Sequence, residues 1–86
     1  MNEPGYWMDE TTGALRPAVQ AYLRGEPMTQ FQVAAMRAYL RQWIEARVWG
    51  RGIGIDRLRR RVNGLLSRED ISEWLDEAET VGIDPL

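Results

Sequence analysis

The chain has 86 residues, room for one small domain without a second core. It contains no cysteine, histidine or lysine, which removes disulfides, structural zinc sites, thiolate or histidine-based catalysis, Schiff-base chemistry and the lysine of a Walker-type phosphate loop. The net charge of −2 conceals a segregation: residues 1–10 carry three acids and no base, 11–68 carry all eleven arginines against three acids, and 69–86 carry seven acids and no base.

Pro4, Gly5, Asp9, Thr11, Thr12 and Gly13 read as an irregular N-terminal arm over 1–13, interrupted by Tyr6-Trp7-Met8. Residues 14–86 are then expected to form a single helical domain. Pro17 suits the first turn of a helix, Gly25 suits its stop, and Ala18, Val19, Tyr22 and Leu23 give apolar spacing between them. This predicts a helix over about 17–24.

The next start is the most strongly marked. Thr29 and Gln32 make a T-x-x-Q capping box, and Met28 with Val33 makes the matching hydrophobic staple. No proline or glycine follows until Gly50, which predicts a helix over about 30–48. Its apolar residues, Val33, Ala35, Met36, Tyr39, Leu40, Trp43 and Ile44, cover about half the circumference. A stripe that wide requires at least two neighbouring helices.

Gly50, Gly52 and Gly54 predict a flexible connection. A third helix over about 55–66 follows, with Ile55, Leu58, Val62, Leu65 and Leu66 on one face. Ser67 and Asp70 suggest a second cap of the serine-x-x-acid kind, opening a fourth helix over about 68–81. Ile71, Trp74, Leu75, Ala78 and Val81 point inward in that helix. Gly82 ends it, with Ile83 folding back toward Ala78. The expected fold is therefore all-α, a compact bundle of about four helices. Its expected core includes Met36, Leu40, Trp43, Leu58, Val62, Leu65, Ile71, Trp74 and Leu75.

Little in the sequence points to catalysis. The carboxylates Glu69, Asp70, Glu73, Asp76, Glu77 and Glu79 fan across the face opposite Ile71 and Trp74, a solvated side where acid–base tuning has no physical cause. Their spacing lacks the glycine a calcium loop requires. The glycines at 50, 52 and 54 follow a helix, not a strand, and do not make a dinucleotide fingerprint. No enzyme activity, cofactor or metal is expected.

The strongest local anomaly is Arg57, Arg59, Arg60 and Arg61, four arginines in five residues, with Arg51 nearby. Guanidinium groups pair bidentately with carboxylate or phosphate. The use of arginine alone also fits a GC-rich bacterial or phage genome. Trp7 and Trp49 fall outside the helices, and tryptophan is enriched at interface hot spots.

These features predict a non-enzymatic protein-interaction module, an adaptor, inhibitor or subunit, that meets an acidic partner through Arg51, Arg57, Arg60, Arg61, Trp49 and Trp7. Nucleic-acid binding by the same arginines is the alternative. It is weakened by a connector too long for a helix-turn-helix and by an acidic helix in the recognition position. Homodimerisation through the wide apolar face is a third reading. Bridging of the arginines to the acidic fourth helix is the plain structural use of the cluster. With no secretory leader and no apolar run long enough to span a bilayer, a cytoplasmic location without membrane contact is expected.

Overall fold

A computed structural model describes residues 15–48, 50 and 52–86. The expectations placed on the N-terminal arm with Trp7, on Trp49 and on Arg51 lie outside the described residues. Among the described residues four α-helices follow in order: α1 (Leu15–Leu23), α2 (Gln30–Arg47), α3 (Ile53–Arg61) and α4 (Arg68–Thr80), with a 3₁₀ turn over Val62–Gly64 after α3. No strand occurs among the described residues. The all-α bundle read from the sequence is the observed architecture.

The described part of α1 starts at Leu15, two residues before Pro17. A proline is tolerated in the first turn of a helix, whose amides have no intrahelical acceptor. Gly25 closes α1 with φ of 75°, a left-handed conformation that glycine adopts without a Cβ penalty. The amide of Glu26 donates to the Ala21 carbonyl at 2.9 Å and that of Gly25 to Tyr22 at 3.1 Å, the two bonds of a Schellman close.

At the start of α2 the Gln32 amide donates to Thr29 Oγ1 at 3.1 Å. The Thr29 amide returns a bond to Gln32 Oε1 at 3.0 Å, completing the capping box. Met28 packs against the core cluster that contains Val33, as the staple requires. Helix α2 touches α1, α3, α4 and the 3₁₀ turn, which explains its wide apolar stripe. α3 packs chiefly on α4.

The core comprises Ala18, Val33, Met36, Leu40, Ile44, Leu58, Val62, Leu65, Ile71, Trp74, Ala78 and Ile83. Trp43 and Leu75, expected inside, are only partly buried at its edge. Trp43 shares that edge with Arg47, whose guanidinium carbon lies 5.9 Å from the ring centroid.

Three differences from the sequence reading cluster around α3. The helix starts at Ile53, so Gly54 belongs to its first turn and not to the connector. It ends at Arg61, and the 3₁₀ turn leads into an extended Leu65 (φ −78°, ψ 110°). Side chains alternate sides along extended backbone. Leu65 is therefore buried and Leu66 is 68% exposed, whereas a continuous helix would have placed both inward.

The cap of α4 also differs in detail. The Asp70 amide donates to Ser67 Oγ at 3.1 Å, but the Asp70 carboxylate accepts from the Leu66 amide at 3.0 Å and not from that of Ser67. The reciprocal bond has moved one residue back. At the far end Gly82, with φ of 83°, lets the Ile83 amide donate to the Ala78 carbonyl at 2.8 Å. This is the predicted Schellman close. Val81, expected inward, is 40% exposed.

Candidate functional site

Arg57, Arg60 and Arg61 stand at i, i+3 and i+4 on α3, so they share one face of that helix. Across from them, Glu73 and Glu77 are one turn apart on α4. Arg57 Nε lies 3.4 Å from Glu77 Oε1 and Arg61 Nη2 lies 3.7 Å from Glu73 Oε1, while Arg61 Nη1 donates to Glu77 Oε2. One carboxylate thus serves two arginines. Complementarity between the basic third helix and the acidic fourth is part of the packing.

Arg59 takes a different path. It points to the end of α2, where Nη2 donates to the Val48 carbonyl and Nη1 donates to Asp56 Oδ1 at 3.3 Å. A helix C-terminus carries unpaired carbonyls and partial negative charge, which an arginine satisfies in both respects. Arg60 is exposed and enters no ion pair among the described residues. Of the expected contact residues, then, the structure brings Arg57, Arg60 and Arg61 together and gives two of them internal partners.

Two further arginines have roles that helical spacing does not reveal. Arg68 donates through Nη2 to the Tyr22 carbonyl and through Nε to the Glu26 carbonyl at 3.2 Å, with its guanidinium carbon 4.8 Å from the Tyr22 ring centroid. Arg37 Nη1 donates to the Leu65 carbonyl at 2.7 Å. Arg68 closes the end of α1, Arg59 the end of α2 and Arg37 the exit of the 3₁₀ turn. Each reaches a carbonyl at the end of an element that is adjacent only after folding, so no local motif marks it.

No polar or charged side chain is fully buried among the described residues, and no group of three or more carboxylates is placed to hold a metal ion. No described helix is long and apolar enough to cross a membrane. No protein-family model, curated protein or solved structure matches the chain.

Proposed function

We propose that this chain is a small, non-enzymatic protein-interaction module that engages an acidic partner through the outward surface of α3. The observation that supports this most is the uneven use of the arginine triangle. Arg61 is 32% exposed at its side chain and is held by two carboxylates. Arg57 is 58% exposed with a single partner, and Arg60 is exposed with none among the described residues.

Exposed ion pairs of the Arg57–Glu77 kind contribute only ~0–1 kcal/mol. A carboxylate on a partner can therefore take the place of Glu77 at small cost and gain a bidentate contact with the guanidinium. Arg61 drops out of the contact set and acts as a brace. Glu73 and Glu77 beside the triangle oppose a long polyanion, which needs several contacts along its length, more than a single acidic side chain. This favours a protein partner over nucleic acid.

The test is recovery of partners on the tagged chain from its native host, with and without nuclease, for the wild type and for Arg57→Gln/Arg60→Gln. A protein partner that survives nuclease, weakens with rising salt and is lost with the double variant is the expected result. Loss on nuclease treatment, with a steep logarithmic salt slope, would assign the surface to nucleic acid. Retention by the variant would place the contact elsewhere on the molecule.

A further inference from the structure

Two exposed apolar side chains lie away from the arginine triangle and close to one another. Leu23, at the end of α1, is 66% exposed, and Leu86 is 41% exposed. Together with partly buried Tyr22 and Leu75 they line a groove of about 540 Å³ between the end of α1, one side of α4 and the segment 82–86. The volume suits a small ligand, but a ligand pocket covers most of its occupant, and walls this exposed cannot. The flat face of another chain segment suits it better.

The groove is held in shape. Ile83 is buried and fixed by its bond to the Ala78 carbonyl, and Tyr39 Oη donates to the Pro85 carbonyl at 2.6 Å. Tyr22 carries the Arg68 guanidinium over its ring. Apolar groups already ordered in the free protein lose less entropy when a partner covers them.

Its rim has one sign. Asp76, Glu79 and Asp84 line the groove, all exposed, and none enters an ion pair among the described residues. No basic side chain lines it. Helix α4 is thus asymmetric: Glu73 and Glu77 pair with arginines of α3, whereas the acids on the groove side are left to solvent.

We propose that this groove docks a cationic amphipathic segment of another protein, with leucine or aromatic side chains against Leu23, Leu75 and Leu86 and arginine or lysine toward Asp76, Glu79 and Asp84. Charge selects this occupant over two nearer ones. Residues 1–13 contain Tyr6-Trp7-Met8 but bring Glu3, Asp9 and Glu10 without a base, so they would add like charge to the rim. In a second copy the densest basic stretch, α3, holds Arg59 and Arg61 in internal contacts and leaves only Arg57 and Arg60 to meet the three acids. The groove is a different surface from the arginine triangle, and its binding does not depend on Arg57 or Arg60.

A displayed library of random 16-residue peptides, selected on the full chain, tests the proposal. The expected clones carry leucine or aromatic residues at i, i+3, i+4 and i+7 with arginine or lysine between them. Their affinity should drop about tenfold or more in Asp76→Asn/Glu79→Gln/Asp84→Asn and also in Leu23→Ser, consistent with loss of a hot-spot contact. Most of the salt dependence should vanish in the triple variant. Arg57→Gln/Arg60→Gln should bind the peptides as the wild type does, and circular dichroism should show every variant folded. Neutral or acidic clones, or affinities unmoved by the triple variant, would overturn the proposal. It would equally fall if deleting residues 1–13 raised peptide affinity tenfold, or if the chain dimerised in sedimentation and Leu23→Ser dissolved the dimer. The first result would make the arm the resident occupant, the second another copy.

Discussion

The indole Nε1 of Trp74 donates to the main-chain carbonyl of Leu58 at 3.0 Å inside the core. The same carbonyl accepts the Val62 amide at the close of α3, so both its lone pairs are in use. The bond ties the largest fully buried side chain of α4 to the last turn of α3, across the same interface that Arg57, Arg61, Glu73 and Glu77 bridge at the surface.

Trp74→Phe separates the two contributions at this position. It leaves the Leu58 carbonyl with its Val62 donor, so no buried acceptor is orphaned, but it removes one hydrogen bond and opens a small cavity. The expected loss is roughly 1–3 kcal/mol, against about 3–5 kcal/mol for Trp74→Ala. Denaturant midpoints for the two variants check the order. Equal losses would mean that a phenyl ring recovers nothing of the indole's contribution, and no loss in Trp74→Phe would mean that the indole bond and the extra ring add nothing beyond the phenyl group.

Thr29→Ala removes the acceptor for the Gln32 amide and with it the geometry that brings Gln32 back to the Thr29 amide. Destabilisation of about 0.5–2 kcal/mol is expected. Because α2 touches every other helix, the loss should appear as a lower midpoint for global unfolding, not as fraying of one end. Amide exchange across α1 and α4 in the variant would distinguish the two.

Gly54 is a site where an added methyl group meets an obstacle. A Cβ there would sit 2.8 Å from Val81 Cγ1, closer than real Cβ contacts come, although alanine is favoured over glycine by ~1 kcal/mol within a helix. Overpacking typically costs about 1–3 kcal/mol, so Gly54→Ala alone should be destabilising or close to neutral. Once Val81→Ala has cleared the space, Gly54→Ala should become stabilising. Four melting curves close the cycle. Additive effects would show that the start of α3 and the end of α4 do not press on one another.

Arg68→Lys should fail to replace arginine. The guanidinium reaches two carbonyls at the end of α1 and covers the Tyr22 ring at once, a fork-and-plane geometry that an ammonium group does not have. Roughly 1–2 kcal/mol of stability should go with either Arg68→Lys or Arg68→Gln, since those carbonyls can be partly recovered by water. Recovery of wild-type stability by lysine would reduce the role of Arg68 to its charge.

The helices and most of their ends are determined locally, and the sequence carries most of that information. Capping at Thr29 depends on Gln32, three residues away, and the closes at Gly25 and Gly82 need only a residue that tolerates positive φ. Apolar spacing of 3.6 residues likewise marks the inward side of each helix, which is why Met36, Leu40, Leu58, Ile71 and Trp74 were identifiable as core. The break of α3 at Arg61 was not. Its apolar period continues to Leu66 and masks the local stop signal Asn63-Gly64, which falls in the 3₁₀ turn after which Leu65 and Leu66 part.

What each arginine does was decided by the tertiary structure. A dense basic stretch and an acidic helix are visible as charge patterns, but charge is long-ranged and undirected, and a pattern does not say which guanidinium meets which oxygen. Only the packing of α3 on α4 gives Arg57 and Arg61 a shared carboxylate in Glu77 and leaves Arg60 outside. Only the approach of α4 to the end of α1 turns Arg68 into a cap for carbonyls more than forty residues away in the chain. The acid-rimmed groove is of the same kind. Leu23, Leu75 and Leu86 belong to three separate stretches, and nothing short of folding brings them to one place beside Asp76, Glu79 and Asp84.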